Sequence, residues 1–291
     1  MERRRKALPV SKLRSMILSP GSSFPAVPLG LPVLVLALGG YLLALWPARG
    51  ANAPRWPAVA LLAGWVAHFL MLALVIGGFG SERGVRLGFA PVLSATVWMM
   101  IAGHAIESRM LPLPSVRWGL GLAGAAAALL AYLFPGEPRH FATPLGPLHF
   151  VLGVTSYGLF GAAVLHALLL DGAERRLRQR GAGAPAAQGM TRGMPLLQLE
   201  RLTFRFVAAG FAVLSLTLML GIVSPAEWRW DHKTVLAMMA WAVFAALLLG
   251  RRLRGWRGMR ATRWLYGGTL LLLLAYVGSR FVLEVLLERG A

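Results

Sequence analysis

Residues that could hold a metal-centred ligand stand close together in the segment SPAEWRWDHKTVL, at 224–236. If residues 228–232 are extended, alternate side chains share a face, so Trp228, Trp230 and His232 point one way. Indole faces pack against a flat conjugated ring, and a neutral imidazole can take an axial position on its iron. The pattern is therefore typical of a haem site. The chain has no cysteine for covalent attachment, so the haem would be b-type and noncovalent.

The same residues have a simpler interpretation of equal weight. The tryptophans would belong to the aromatic belt at the membrane surface. Asp231 would cap the helix that follows, and His232 would merely lie in its first turn.

A six-coordinate haem needs a second imidazole at the same depth, and His149 is the candidate. It follows Pro147, a residue favoured at a helix start. Below it, Gly153 and Ser156 share its helix face and are small enough to leave room for a ligand. The predicted iron ligands are therefore His149 and His232.

Two further ionisable residues lie within apolar stretches. His68 is near the middle of one, where an ionisable group is costly and becomes a functional candidate; a neutral imidazole bonded to a neighbouring helix is an equal alternative. Arg280 lies near the outer end of the last stretch and could bind a haem propionate. Pairing with Glu284 or snorkelling explains Arg280 equally well. Snorkelling also explains His104 and His166, and His140 falls in a loop.

The elements that must position these residues are membrane helices. Hydrophobic residues make up 57% of the 291 residues and charged residues only 14%, too few to coat a water-soluble globule. We therefore predict an all-α polytopic membrane bundle of about eight transmembrane helices, forming one domain over residues 27–291. Stretches near the roughly 20 residues that cross a bilayer recur at 27–46, 57–79, 87–107, 117–134, 147–170, 205–223, 234–250 and 264–286.

The distribution of charge predicts the orientation. The net charge of +19 lies in the connections between helices and forms no continuous basic face, which argues against nucleic acid as a partner. Arginine-rich connections at 171–204 and 251–263 belong in the cytoplasm of a bacterial inner (plasma) membrane. The loops at 80–86, 135–146 and 224–233 are then periplasmic. A Gly/Ala/Pro-rich stretch predicts that the 171–204 connection is mobile.

The basic N-terminal extension, residues 1–26, conflicts with this orientation. Its cluster of arginines and lysines resists translocation, whereas the helix count places it outside. A start at Met16 would remove the conflict, so we predict that residues 1–15 are not normally translated.

The stretch GLGLAG at 119–124 matches a dinucleotide-binding pattern. That site needs a preceding strand and a soluble sheet, whereas these glycines open a membrane helix. We therefore predict that Gly119, Gly121 and Gly124 allow close helix packing. No metalloprotease, P-loop or serine hydrolase motif is present either.

Several segments together resemble a known family. WRWDHKTVLAMMAWAVFAALL is similar to the tryptophan-rich signature of the CcsA/CcmC-type haem-handling proteins of cytochrome c assembly, and GPLHFVLGVTSYGLFGAAVLHALLL to their helix that begins with an external histidine. MPLLQLERLTFR and GWRGMRATRWLYGGTLLLLLAYVGSRFV most resemble the YpjD-like branch. The resemblance runs from about residue 57 to the end.

The resemblance implies a bundle of about eight helices that holds haem near its outer surface for delivery to apocytochrome c. By position, His149 matches the first external ligand, and Trp228, Trp230 and Asp231 match the end of the tryptophan-rich motif. His68 matches an intramembrane histidine that accepts entering haem. The family's second external histidine has no counterpart in YVGSRFVLEVLL. His232 therefore substitutes for it, or the site is five-coordinate or lost.

These expectations define a haem chaperone or exporter rather than an enzyme, with membrane lipid, haem, apocytochrome c and other assembly proteins as partners. Two alternatives stay open. One is an accessory or scaffold subunit that keeps the fold without haem, and the other is a small-molecule permease in which His68 lines a polar path.

Overall fold

The computed structural model describes residues 30–47, 54–77, 85–107, 114–141, 143–180, 196–224 and 230–282. The helices are α1 Gly30–Ala44, α2 Trp56–Gly77, α3 Phe89–Glu107, α4 Pro114–Leu133, α5 Gly146–Arg180, α6 Leu196–Val223, α7 His232–Arg254 and α8 Gly258–Leu273. A π-helical turn, Leu274–Gly278, and a short helix α9, Ser279–Phe281, continue α8. Two short strands, β1 Val85–Arg86 and β2 Pro138–Arg139, pair antiparallel.

The prediction of an all-α membrane protein is confirmed. Five described helices are long and apolar enough to cross a bilayer: Trp56–Gly77, Val116–Leu133, Gly146–Arg175, Leu196–Val223 and His232–Arg254. Gly30–Ala44 and Phe89–Ala105 are apolar but shorter. The basic extension at 1–26 lies outside the described residues.

Helix α5 is much longer than its apolar stretch. Its 35 residues span about 52 Å at the α-helical rise, whereas the hydrocarbon core is about 30 Å thick. The predicted connection at 171–204 is therefore helical at both ends, as α5 ends at Arg180 and α6 begins at Leu196. The apolar pattern ends at residue 170, but the Glu, Arg and Leu residues that follow still favour a helix.

Glycines bring α1 and α2 into backbone contact. A Cβ added to Gly40 would lie 2.5 Å from the backbone nitrogen of Gly64, closer than any real contact allows. Adjacent Gly39 has nothing within 4 Å of the same position. Of this adjacent pair, Gly40 and not Gly39 is required for the approach of the two helices, and Gly64 is its counterpart on α2, where a Cβ would meet the backbone of Tyr41 at 3.0 Å.

The glycines of GLGLAG serve the packing of α4 on α1. A Cβ on Gly124 would meet the Tyr41 ring at 2.7 Å, and one on Gly121 would meet Leu45 at 3.1 Å. Gly119 has nothing within 4 Å. The packing prediction is confirmed for Gly121 and Gly124, and Gly119 plays no part.

Helices α2 and α3 are joined by two tryptophans. Trp65 Nε1 donates to the Trp98 carbonyl and Trp98 Nε1 donates to the Trp65 carbonyl, both at 3.0 Å. The two rings stack at 4.7 Å with planes 7° apart. Each indole N–H therefore finds an acceptor inside the apolar bundle, as burial requires.

A stacked ring pair forms the core between the later helices. Phe160 of α5 and Phe244 of α7 stack with centroids 3.8 Å apart. Gly210 of α6 and Gly268 of α8 leave space for these rings, because a Cβ at either position would come within 3.1 Å or less of them. Both phenylalanines are fully buried.

Contacts between connections define two ends of the bundle. At one, called here the β end, β1 pairs with β2, the Tyr276 hydroxyl donates to the Leu87 carbonyl at 2.9 Å, and Phe89 packs on Phe134. The loops predicted to share the periplasmic side, 80–86 and 135–146, thus supply strands that pair.

At the other, called the arginine end, are the residues of 251–263. Arg251, late in α7, meets Glu200, early in α6, at 2.7 Å. Thr262, early in α8, donates to Asp171, late in α5. The first turns of α5 and α7 therefore lie at the β end.

Candidate functional site at the β end of the bundle

His149 lies in the first turn of α5, on the face that packs into the bundle. Its backbone N–H donates to Leu145 at 2.9 Å, and its side chain is half-buried. His149 precedes Phe160 by about three turns, so the two lie within about 20° of each other around the helix. Because Phe160 faces Phe244, His149 lies on the side of α5 that faces α7.

The residues beneath His149 are small, as predicted. A Cβ added to Gly153 would meet nothing closer than the Thr217 methyl group at 4.0 Å. Ser156 is fully buried, and its hydroxyl donates to the Gly153 carbonyl at 2.8 Å. Gly153 and Ser156 therefore leave little side-chain bulk directly beneath His149.

His232 lies at the same depth as His149 but on a different side of its helix. Counting from the Phe160–Phe244 stack, His149 is about 17 Å and His232 about 18 Å toward the β end. Around α7, however, His232 is about 120° from Phe244, and its side chain is exposed. The structure supports the shared depth, whereas the two histidines occupy differently oriented helix faces.

Asp231 caps α7, which confirms the simpler interpretation of this residue. Its backbone is extended, with φ −105° and ψ 171°, and its side chain accepts from Thr234 N at 3.0 Å. Burial raises the pKa of Asp231, but the hydrogen bonds from Thr234 and the charge of Lys233 outweigh it and hold the pKa below its ordinary value. His232 is the first residue of the helix.

Of the two tryptophans in the predicted aromatic face, the structure describes only Trp230. Trp230 is 73% exposed, which suits an interfacial tryptophan as well as a wall awaiting a ligand. Trp228 lies outside the described residues. The shelf of two indoles stays a prediction.

Arg280 is buried at a depth close to that of His149. The Tyr157 hydroxyl donates to the Leu272 carbonyl and ties α5 to α8. From that bond, His149 lies about 12 Å toward the β end at the α-helical rise, and Arg280, which follows the π-helical turn, lies toward the same end at a somewhat smaller distance. Arg280 is only 6% exposed, and its guanidinium carbon is 5.7 Å from the Tyr276 ring centroid. This burial argues against snorkelling; Glu284, the other suggested partner, lies outside the described residues.

His68 is enclosed by two hydroxyl groups. It is fully buried, with Nδ1 2.8 Å from the Tyr41 hydroxyl and Nε2 2.6 Å from the Ser94 hydroxyl. The alternative of an imidazole bonded to neighbouring helices is thus confirmed. Both ring nitrogens are engaged, so neither can bind iron in this conformation. Tyr41 and Ser94 were not predicted as partners of His68. Their hydroxyl groups lie in apolar helices, where each needs a hydrogen-bond partner, and this was the feature that could have indicated them.

The snorkelling explanation of two histidines is wrong. His104 is 8% and His166 4% exposed, and His166 Nδ1 lies 2.7 Å from its own helix carbonyl at Ala162. Packing inside the bundle keeps both rings from the membrane surface. His140 is exposed, as expected of a loop residue.

A buried carboxylate near the arginine end was not predicted. Asp171 of α5 is 8% exposed and accepts from Thr262 at 3.0 Å and from the Tyr266 hydroxyl at 2.8 Å. Thr262 and Tyr266 lie one turn apart on α8. The spacing of Thr262 and Tyr266 could have indicated a shared polar partner, but only if both residues were known to lie on one helix. The apolar stretch predicted from the sequence begins at residue 264, whereas α8 begins at Gly258.

Two side chains at the β end have the chemistry to bind a metal-centred ligand that carries carboxylates. His149 offers an imidazole above small residues, and the buried guanidinium of Arg280 at a similar depth suits a carboxylate. An imidazole is also a usual axial ligand of haem iron. The residues present therefore fit haem with one axial histidine, and His232 fits a second position less directly.

Comparison with known proteins gives the family. Residues 56–287 match the model of the family described as cytochrome C assembly protein. The chain is 29% identical to inner membrane protein YpjD of Escherichia coli over 79% of this chain and 99% of the relative. It is 26% identical to cytochrome c biogenesis protein CcsA of Prochlorococcus marinus over 87% of this chain and 90% of the relative.

A further relative is the 28.8 kDa protein of the nifR3-like 5′ region of Azospirillum brasilense, 34% identical over 67% of this chain and 76% of the relative. No solved structure matches the chain. The family match includes all the helices that form the β-end site, from α5 to α9. The chain therefore belongs to the cytochrome c assembly protein family.

Proposed function

We propose that this chain handles haem during cytochrome c assembly, holding or exporting noncovalent b-type haem at the outer face of the bacterial inner membrane. The proposal rests on half-buried His149 in the first turn of α5 and buried Arg280, which by helix rise lie toward the same end of the bundle. The family match and the name of the CcsA relative support the role in cytochrome c assembly.

In this proposal His149 is the first axial ligand of the iron and His232 the second. Trp228 and Trp230 form walls against the macrocycle, Asp231 orients the start of α7, and Arg280 binds a propionate. His68 serves as an inner site for entering haem. It can do so only when its bonds to Tyr41 and Ser94 open.

The proposed topology has eight membrane spans, the last formed by α8, the π-helical turn and α9 together. The β end is periplasmic, the arginine end cytoplasmic, and the name of the relative, inner membrane protein YpjD, supports the inner membrane. Apocytochrome c and other assembly proteins are the proposed partners. The chain has no cysteine, so the thiol chemistry of haem attachment would belong to a partner.

Absorbance in the Soret region tests the proposal. Purified full-length protein titrated with hemin should develop a Soret band that His149→Ala largely abolishes, because the iron loses its enclosed ligand. His232→Ala should shift the band and weaken binding. His140→Ala removes an exposed loop histidine near the same end and should change neither.

Two results would overturn the assignment. One is a wild-type protein that retains no haem absorbance after unbound hemin has been removed. The other is an equal effect of all three histidine substitutions, which would mean that hemin binds surface imidazoles nonspecifically.

The second candidate function is a scaffold subunit that keeps the fold without haem. The exposure of Trp230 and His232 and the engagement of both nitrogens of His68 favour it. The permease alternative required His68 to line a polar path, and its complete burial argues against that function.

A further inference from the structure

A pocket opens at the arginine end, on the opposite side of the bundle from the candidate haem site. Its volume is about 660 Å³, and it lies between the late turns of α5, the first turns of α6 and the start of α8. Four of its lining residues are apolar: Leu170, Leu196, Leu197 and Met259. This wall lies at the ends of membrane helices, where lipid chains meet headgroups.

Two arginines border the apolar wall. Arg257 and Arg260 both line the pocket and are exposed. Trp256, immediately before Arg257, is buried against Gly250, where any Cβ would come within 2.5 Å of the indole. The Arg260 guanidinium carbon lies 4.6 Å from the Trp256 ring centroid. Trp256 therefore anchors the turn that carries both arginines and contacts Arg260 directly.

The two carboxylates in the pocket already have positive neighbours. Glu200 meets Arg251 at 2.7 Å and Arg257 only at 3.6 Å, and the Arg257 side chain remains 68% exposed. Glu174 lies against Gly258, with an oxygen 3.3 Å from where a Cβ would stand. It thus faces the positive amino end of α8. Glu200 is thus shared between Arg251, its nearer partner, and Arg257, most of whose side-chain surface stays accessible to a ligand.

We propose that this pocket binds one acidic phospholipid, with its phosphate on Arg257 and Arg260 and the start of an acyl chain along the leucines. A basic pocket between helix ends suits an anionic headgroup, and planar guanidinium groups suit phosphate. The apolar wall distinguishes a lipid from a free anion, since inorganic phosphate would gain nothing from it. The site is independent of the proposed haem function.

Native mass spectrometry of the full-length protein in detergent tests this proposal. Added phosphatidylglycerol should be retained as a single adduct in preference to phosphatidylcholine. Arg257→Gln with Arg260→Gln should reduce its retention roughly tenfold. Arg252→Gln with Arg254→Gln removes the same charge from the same connection outside the pocket, and it should leave retention within about twofold of wild type.

A third variant tests the apolar wall. Leu197→Ser places a hydroxyl on that wall and leaves both arginines in place. It should weaken the retention of phosphatidylglycerol without changing the binding of inorganic phosphate. Equal losses of phosphatidylglycerol retention in the two double arginine variants would overturn the proposal, because they would indicate general charge attraction. Displacement of the lipid by millimolar inorganic phosphate, or an absence of any preferred adduct, would overturn it as well.

Discussion

At the scale of single residues, His68 shows how a neighbour changes the meaning of a side chain. Position alone indicated either a functional intramembrane histidine or a structural one. The sequence could not choose, because Tyr41 and Ser94 are 27 and 26 residues away and on other helices. Their hydroxyls satisfy both ring nitrogens, so His68 joins three helices in the conformation observed.

The first prediction concerns this network. Tyr41→Phe keeps the ring that packs against Gly124 but leaves one nitrogen of a buried imidazole without its hydrogen bond. We expect a loss of about 1–3 kcal/mol in the free energy of unfolding, measured in mixed micelles of sodium dodecyl sulfate. Tyr132→Phe, whose hydroxyl makes none of the described hydrogen bonds, should cost clearly less; an equal cost would contradict the importance of the network.

The second prediction concerns the cap of α7. Asp231→Ala should cost about 1 kcal/mol because Thr234 loses its acceptor. Asp231→Asn should retain most of the cap, since asparagine is an equally good capping residue. The pKa of Asp231 is lowered in the folded protein, so its carboxylate stabilises the fold above its unfolded pKa, ordinarily 3.8. That stabilisation is lost as the pH falls through the lower folded value.

Unfolding measured against pH tests the linkage. The difference in stability between wild type and Asp231→Asn should stay constant from neutral pH to about pH 5 and then shift progressively against wild type at lower pH. A difference that already changes between pH 7 and pH 5 would show that another group is responsible.

At the scale of elements, the sequence predicted where apolar stretches lie but not where helices end. Hydrophobic residues end where the lipid ends. Helix α5 nevertheless continues as far as Arg180, because the polar residues beyond that boundary also have a high helix propensity. The start of α8 at Gly258 was missed for the same reason. Helix contacts were predictable only where glycine spacing signalled them, as in GLGLAG, and even there one of three glycines makes no contact.

The third prediction uses neighbouring glycines as a matched pair. Gly40→Ala should force α1 from α2, because its Cβ would meet the Gly64 backbone at 2.5 Å, at a cost of about 1–3 kcal/mol. Gly39→Ala meets nothing within 4 Å and should be neutral or stabilising. Unfolding in mixed micelles distinguishes them. Equal stability of the two variants would contradict the close approach of α1 and α2.

At the scale of the whole molecule, the sequence predicted which loops share a side but not what they build there. The pairing of Val85 with Arg139 joins two loops predicted to be periplasmic. The sequence placed His149 and Arg280 near the same outer end, but their relative depth depends on the bond between Tyr157 and Leu272 and on the π-helical turn after it. The positions of residues around an ideal helix, which are all that the sequence provides, predict neither the hydrogen bond nor the π-helical turn.

The fourth prediction concerns orientation. Because the chain has no cysteine, single cysteines report sidedness without background. His140→Cys should react with a membrane-impermeant maleimide in intact cells, and Arg252→Cys should react only after lysis. Labelling of both residues from the same side would contradict the arrangement of a β end opposite an arginine end.

The stacked pair of Trp65 and Trp98 gives this protein a built-in optical reporter. Two indoles with centroids 4.7 Å apart lie close enough for their excited states to couple, and where the transition dipoles are skewed within the two ring planes this coupling produces a paired positive and negative signal in circular dichroism. That signal requires neither haem nor a label. It follows the contact between α2 and α3 directly, and Trp65→Phe should erase it while the helical signal persists.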